Sequence, residues 1–461
     1  MTLIKSISGI RGTIGGKVDQ GLTPIDAVKF AAAYGTWLQA QYPAQKLKVV
    51  IGRDARISGP MISSLVIQTL VGLGIDVIDL GLSTTPTVEV AVPMEKAQGG
   101  IILTASHNPK QWNALKLLNH KGEFISGADG TALMEIANNE AFDFAEVDDL
   151  GQVTPDQSYL LKHIDAILQL PLVNAKAIAE AQFRVVVDAV NSTGGIFVPA
   201  LLKALGVQNI TELYCEPNGH FPHNPEPLPE HLTELSARVK NEQAHLGITV
   251  DPDVDRLALV CEDGSMFGEE YTLVAVADYV LTHTPGPTVS NLSSTRALRD
   301  ITEAKSLRYE AAAVGEVNVV EKMKTIGAVI GGEGNGGIIY PELHYGRDSL
   351  VGIALFLSHL AEKKMTMTAL RASYPNYVIS KNKIDLDPST DVDAVLAQMA
   401  SNYAAHEVDT TDGVKIYIEK EWVHLRKSNT EPIIRIYAES TDENAANQLA
   451  IKIMTEIKAI S

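Results

Sequence analysis

The chain has 461 residues, 45% of them hydrophobic, and a formal net charge of −18. That composition excludes a disordered polymer, and that length exceeds what a single core supports, so three or four domains are expected. The negative field excludes nucleic acid and anionic membranes as partners, and an anionic small molecule needs a local cluster of basic residues to bind.

Taken in chain order, the opening MTLIKSISGIRGTIGG lacks the apolar stretch and small-residue cleavage site of a signal peptide. No run of about 18 apolar residues follows, so a cytoplasmic protein is expected. Thr23-Pro24-Ile25-Asp26 has capping-box spacing and opens an Ala-rich helix. LKVVIG (47–52) reads as a strand. Ser58 can N-cap the segment GPMISSLVIQTLVGL, and Gly74 is placed to end it. IDVIDL (75–80) and GGIILTAS (99–106) are further strands, the second buried. This alternation is the pattern of parallel βα units.

The pattern recurs in FRVVVDAV (183–190) followed by a helix through PALLKAL, in HLGITV (245–250) followed by LALVCEDG, and in KTIGAVI (324–330). The tail differs. GVKIYIE, WVHLRKSN and IIRIYAES are short strands before a helix in DENAANQLAIKIMTEIKAI, so an α+β domain is appended. Polar stretches near 146–158 and 371–384 suggest boundaries. The implied domains are 1–150, 151–262, 263–370 and 371–461. The two cysteines, Cys215 and Cys261, lie in apolar strand-like runs. They read as buried thiols of a reducing compartment, not as a disulfide framework.

Four loops follow apolar strands, and open α/β sheets hold ligands at the carboxyl ends of their strands. The first is TASHNPKQWNALK. Ser106 beside His107 suggests a nucleophile and its base, but adjacent side chains usually diverge and no G-x-S-x-G elbow is present. A serine that carries a phosphoryl group fits better. Its charge would need a metal and cations, with Lys116 as one. The second is DPDVDR, where Asp251, Asp253 and Asp255 stand at i, i+2 and i+4. An extended segment would set these carboxylates on one side. Three oxygen ligands without Cys or His favour Mg²⁺. An EF-hand is excluded by Arg256 at its glycine position. An aspartyl-phosphate phosphatase using Asp251 or Asp253 as nucleophile stays open.

The third loop, GGEGNGG (331–337), matches G-x-G-x-x-G, yet the strand-like IIYPELHYG follows it in place of a helix. Its glycines can instead bring Glu333 and Asn335 close to sugar hydroxyls. The fourth, RKSNTEPIIR (426–435), supplies Arg426, Ser428, Thr430, Arg435 and backbone N–H groups around Asn429 as a phosphate clamp. SGIRG adds Arg11. No P-loop occurs, so a nucleoside triphosphate is not the obvious phosphoryl donor.

The ordered set SGIRG, TASHNP, DPDVDR, GGEGNGG and RKSNTEP resembles the α-D-phosphohexomutases along the whole chain. The resemblance implies four domains around a central cleft: three similar α/β/α mixed-sheet domains and a smaller, mobile C-terminal α+β domain. It implies an isomerase that interconverts 6-phospho and 1-phospho hexoses through a phosphoserine, Mg²⁺ and a hexose 1,6-bisphosphate that also serves as activator. Ser106 would carry the phosphoryl group, and its phosphate oxygen with Asp251, Asp253 and Asp255 would hold the metal. Arg11, Lys116 and Arg256 would line the transfer site, with Lys116 and His107 handling protons or charge. Glu333 and Asn335 would read the sugar. Arg426, Ser428, Asn429, Thr430 and Arg435 would grip the distal phosphate. The family more often has Gly and Ala at 252 and 254, Ser at 335, His at 337 and Gly at 429. The chain is most similar to the phosphoglucosamine mutase branch, with phosphoglucomutase/phosphomannomutase as the alternative. A non-catalytic sugar-phosphate binder is a further alternative. Small hexose phosphates are the expected partners, and a monomer or homodimer the expected state.

Overall fold

The computed structural model describes residues 2–6, 9–387, 390–427 and 433–460. The chain divides into two compact units, Met1–Thr272 with Gly336–Thr368, and Leu273–Asn335 with Ala369–Ser461.

The first unit contains a seven-stranded mixed sheet and a four-stranded one. The larger is built from β1 (Ile4–Ser6), β2 (Gly9–Thr13), β3 (Lys48–Arg53), β4 (Asp76–Leu82), β5 (Gly99–Leu103), β6 (Trp112–Leu118) and β7 (Val153–Pro155), in the order β1-β2-β6-β5-β3-β4-β7. β3 pairs in parallel with β4 and β5, and β7 with β4, whereas β6 runs antiparallel to both β5 and β2. β7 thus carries the sheet into the polar stretch near 146–158.

Side-chain alternation assigns the two faces of this sheet. Val49, Ile51, Ile101 and Leu103 join Phe30, Leu38, Ile62 and Leu70 of the helices Pro24–Gln41 and Gly59–Gly72 in one core. Val50, Ile78 and Ile102 point the other way, onto Val88, Ala91 and Val92 of the helix Thr85–Met94. Buried on both faces, such strands must be continuously apolar, as GGIIL is. Gly99 is required here, since a Cβ would lie 2.0 Å from the Tyr34 hydroxyl oxygen.

The expected capping box forms: Thr23 caps the helix Pro24–Gln41 and Asp26 returns the bond. Gly74 follows the end of the next helix with φ +78, as expected. Ser58 stands at that helix's start with helical backbone angles and makes no cap. Its hydroxyl instead accepts from Asn113 Nδ2 at 2.9 Å.

The smaller sheet of this unit has β8 (Arg184–Asp188), β9 (Asn209–Leu213), β10 (Leu246–Val250) and β11 (Leu257–Cys261), in the order β11-β10-β8-β9. β8 is parallel to β9 and β10, while β10 and β11 form an antiparallel hairpin with Val250 opposite Leu257. Residues 251–256 are therefore the hairpin loop. Cys261 is buried in β11, but Cys215 lies just past the end of β9 and is only half-buried; neither cysteine forms a disulfide.

In the second unit, β12 (Thr288–Asn291) pairs in parallel with β13 (Tyr309–Ala312) and β14 (Ile330–Glu333). After the glycine loop the chain re-enters the first unit with β15 (Gly337–Ile339), so the sequence-based exclusion of a dinucleotide-type helix there holds. The C-terminal sheet is wholly antiparallel, in the order β16 (Val378–Asp385), β20 (Ile433–Ser440), β19 (Glu421–Lys427), β18 (Val414–Ile418), β17 (Glu407–Asp409). β16 occupies the second polar stretch. One face buries Ile416, Val423, Leu425, Ile434 and Ile436 under the helices Val392–Asn402 and Glu443–Ile460. The fold is thus mixed α/β with a small antiparallel C-terminal domain. No helix of the described residues is long and apolar enough to cross a membrane.

Candidate active site

Ser106 lies three residues beyond β5, at the sheet's carboxyl edge, with φ +47. A non-glycine residue in that region is held there by its surroundings. The holder is Arg56, whose side chain is fully buried. Its Nε donates to Asp54 Oδ2 at 3.0 Å. Its Nη1 donates to the carbonyls of Pro109 and Trp112 at 2.8 and 2.9 Å. Its Nη2 donates to the carbonyls of Ser106 and Asn108, the latter at 2.7 Å. All five guanidinium N–H groups are used, four on the loop that carries Ser106. Thr104 completes the frame: its hydroxyl donates to Asp54 Oδ2 at 2.7 Å and accepts from Ser106 N at 2.9 Å.

The Ser106 hydroxyl donates to Asp251 Oδ2 at 2.6 Å. Asp251 Oδ1 accepts the backbone N–H groups of Asp255 and Arg256, both at 3.1 Å, which closes the hairpin loop on itself. The three carboxylates converge because of this turn, with Val254 at φ +67, and not because an extended segment alternates. All three are 0% exposed, with one oxygen from each lying within 4.8 Å of the others. Lys116, on β6, bridges Asp253 Oδ2 at 2.6 Å and Asp255 Oδ2 at 3.2 Å. Arg347 Nη2 donates to Asp255 Oδ2 at 2.8 Å. Thr85 contributes both its N–H and its hydroxyl to Asp253. Ser192 and Thr193 hydroxyls donate to Pro252 O at 2.7 and 2.9 Å, anchoring the loop from the other side.

These neighbours divide the carboxylates. Burial, and then the charges of Asp255 and Asp253, push Asp251 well above the ordinary carboxylate range. Asp255 is equally buried, but Arg347, Lys116 and Arg256 overcome that and hold it below the range. Burial acts to lower Lys116, yet Asp253 and Asp255 dominate and keep it a cation. His107 is pushed down to about 3, first by burial and then by Arg256, so its imidazole is neutral. The two side chains expected to diverge do not: Ser106 Oγ and His107 Nδ1 are 3.4 Å apart, because the left-handed residue turns one toward the other. Burial, followed by Arg256, also lowers Arg11. Arg256 itself reaches Glu226 at 3.7 Å.

The residues fit a divalent cation. Asp253 Oδ1 and Asp255 Oδ1 are buried with no hydrogen-bond donor, while the partner oxygen of each carboxylate is used. Orphaned anionic oxygens of this kind are costly unless a cation meets them. An all-oxygen donor set suits Mg²⁺.

In the second unit, Glu333 ends β14 and is 4% exposed. Its Oε1 accepts from Asn291 Nδ2 at 2.9 Å and Gly315 N at 3.1 Å, which orients the carboxylate. Asn335 is half-buried in the loop that follows. Arg426 and Arg435 are register partners on β19 and β20. Like charges directly opposite destabilise a sheet unless an opposite charge meets them. Arg426 Nε lies 2.9 Å from Asp412 Oδ2. Ser428, Asn429 and Thr430 lie outside the described residues.

Sequence reasoning missed Asp54, Arg56, Thr85 and Arg347. Arg347 stands 92 residues from the carboxylate it holds, beyond any local pattern. DAR directly after the strand KVVIGR was a usable signal, since two opposite charges at a strand's carboxyl end seldom lie idle.

Comparison with known proteins identifies a family along nearly the whole chain. Residues 3–144, 161–264 and 268–377 match the families described as phosphoglucomutase/phosphomannomutase alpha/beta/alpha domains I, II and III, and 381–456 match the C-terminal domain. A phosphoglucomutase/phosphomannomutase of Thermococcus kodakarensis is 34% identical, over 96% of this chain and 98% of its own. A probable phosphoglucosamine mutase of Methanopyrus kandleri is 31% identical, over 96% and 95%. A phosphoglucomutase/phosphomannomutase family protein of Burkholderia thailandensis superimposes with a TM-score of 0.85 at 26% identity, covering 100% of this chain and 98% of that one.

Proposed function

The chain belongs to the phosphoglucomutase/phosphomannomutase family, and on that premise we propose that it interconverts glucosamine 6-phosphate and glucosamine 1-phosphate through a phosphoserine at Ser106. The observation that carries this reading is the contact of the Ser106 hydroxyl with Asp251 inside a buried triad of carboxylates.

In the reaction, a sugar hydroxyl attacks the phosphorus carried by Ser106. The P–Oγ bond breaks, a P–O bond to the sugar forms, and a hexose 1,6-bisphosphate results. Returning the other phosphoryl group to Ser106 completes the isomerisation. The attacking hydroxyl's proton ends on the departing Ser106 Oγ; His107, 3.4 Å from that oxygen, is kept neutral by burial and is therefore a weak base that orients the serine. Lys116, held as a cation by two aspartates, stabilises charge on the transferring group and is unsuited to act as a base. Arg11 and Arg256 add positive charge to the same face. Asp251, Asp253 and Asp255 would hold Mg²⁺, which when bound neutralises charge on the phosphoryl oxygens. Arg56 positions the loop. We assign Glu333 and Asn335 to the sugar hydroxyls, and Arg426 with Arg435 to the phosphate that is not reacting.

The amino-sugar assignment draws on the GEGNGG and SNTEP loops and on the name of the Methanopyrus relative. Glucose or mannose phosphates are the second reading, favoured by the name of the Thermococcus relative. A coupled assay separates them: glucosamine, glucose, mannose and N-acetylglucosamine 6-phosphates, each with a trace of bisphosphate activator. Fastest turnover with glucosamine 6-phosphate is expected. Faster turnover with glucose or mannose 6-phosphate would replace the amino-sugar assignment, and turnover of none would overturn the mutase reading.

A further inference from the structure

A second cluster of ligating groups lies in the first unit, built on Asp348. This residue N-caps the helix Ser349–Lys363 and divides its carboxylate. Oδ1 accepts the N–H groups of Leu350 and Val351 at 2.7 and 3.3 Å. Oδ2 faces two imidazoles, His163 Nε2 at 3.0 Å and His344 Nε2 at 3.3 Å. The three ligating atoms lie within 4.8 Å of one another. Side-chain exposure is 0% for His163 and Asp348 and 8% for His344.

The outward nitrogens of both rings also face oxygen. His163 Nδ1 is 2.9 Å from Thr87 Oγ1. His344 Nδ1, buried and without a hydrogen bond, is 3.5 Å from Glu89 Oε2, whose side chain is 1% exposed. A histidine that ligates a metal through one nitrogen almost always presents the other to a carboxylate, hydroxyl or carbonyl, which fixes its tautomer. Here His163 meets that requirement through Thr87, and His344 turns its Nδ1 toward the Glu89 carboxylate, while both Nε2 atoms face one carboxylate oxygen.

Charge points the same way. Two buried carboxylates, Asp348 and Glu89, surround two imidazoles. A divalent ion compensates both while leaving the rings neutral. Donors about 2.0–2.2 Å from a tetrahedral ion lie roughly 3.3–3.6 Å apart, close to the 3.0 and 3.3 Å that separate Asp348 Oδ2 from the two Nε2 atoms.

We propose that His163 Nε2, His344 Nε2 and Asp348 Oδ2 form a binding site for a zinc-class divalent transition-metal ion, with Thr87 and Glu89 orienting the two rings. Two imidazoles and one carboxylate differ from the all-oxygen aspartate triad and select this softer class of ion over Mg²⁺. The role is structural: the ion would cross-link the helix Tyr159–Leu168 to the start of the helix Ser349–Lys363. This inference does not rest on the phosphotransfer reading.

The test is a Co²⁺ titration of the metal-stripped full chain in saturating Mg²⁺, read by visible absorption, stoichiometry and melting temperature. A single equivalent of Co²⁺ is expected, with the visible bands of nitrogen-ligated cobalt and a raised melting temperature. His344→Gln should abolish the bands, and Asp251→Asn should leave them intact. Should His344→Gln not fold, Glu89→Gln is expected to weaken Co²⁺ binding about 10- to 100-fold through the ring it orients. The proposal is overturned if the wild type takes up no Co²⁺ under Mg²⁺, if the His344 or Glu89 variants bind as tightly as wild type, or if Asp251→Asn removes the signal.

Discussion

Ser106 Oγ and Asp251 Oδ2 meet at 2.6 Å, although 145 positions separate them in sequence. The first belongs to a turn after β5 and the second to the β10–β11 hairpin loop, so two sheets must be in register for the contact to exist. If this serine carries the phosphoryl group, Ser106→Ala should lower kcat at least about a thousandfold while sugar-phosphate binding persists. Calorimetric titration with glucosamine 6-phosphate, beside the mutase assay, checks both halves. Full activity in the variant would return attention to an aspartate nucleophile.

The orphaned oxygens of Asp253 and Asp255 lead to a second expectation. Chelator should abolish turnover, Mg²⁺ should restore it, and Asp253→Asn should shift the Mg²⁺ activation curve at least about tenfold. Activity unchanged in chelator would count against a metal at this triad.

Arg56 touches four carbonyls of the serine loop yet does not reach the hydroxyl. Arg56→Lys keeps the charge and loses the fork, so kcat should fall about 10- to 100-fold with KM little changed. Free guanidinium should recover part of the loss. Equal losses in kcat and KM without rescue would point to general misfolding instead.

Arg426 and Arg435 face each other across β19 and β20. Arg426→Ala removes a charged hydrogen-bond donor, whose net worth is about 1.5–3 kcal/mol, so KM for both isomers should rise roughly 10- to 100-fold. Steady-state kinetics in both directions tests this. A change confined to one isomer would contradict a clamp for the phosphate common to both.

Glu439 gives a pH expectation for the second unit. Its Oε1 accepts Trp422 Nε1 at 2.6 Å and Arg296 N at 2.9 Å, yet burial raises its pKa to about 7. A folded-state pKa above the unfolded one means that the native state binds the extra proton. The contribution to stability is therefore full below the ordinary glutamate range and is lost as pH rises through 7. Between pH 4.5 and 7 the urea midpoint of this unit should fall more steeply in the wild type than in Glu439→Gln. Parallel curves would refute the assignment.

Local rules made much of this molecule readable in advance. The capping box at Thr23 and Asp26, the buried strand GGIIL and the tail strands depend on neighbours in sequence, where periodicity and turn chemistry act. The DPDVDR loop stood out for a partly wrong reason: its aspartates converge through a hairpin turn stapled by Asp251, and strand alternation plays no part. Ser58 kept the residue type of a cap but gave its hydroxyl to Asn113, a tertiary preference that outweighs the local one. Arg347 on Asp255 and the cluster on Asp348 join segments far apart in the chain. Only the assembled sheets bring those together.

The most direct measurement is to incubate the enzyme with hexose 1,6-bisphosphate carrying labelled phosphoryl groups and to map the label by peptide mass spectrometry. Acid-stable label is expected on Ser106 and should pass to unlabelled glucosamine 6-phosphate when it is added. Label on Asp251 or Asp253, or label on Ser106 that no sugar phosphate removes, would contradict this expectation.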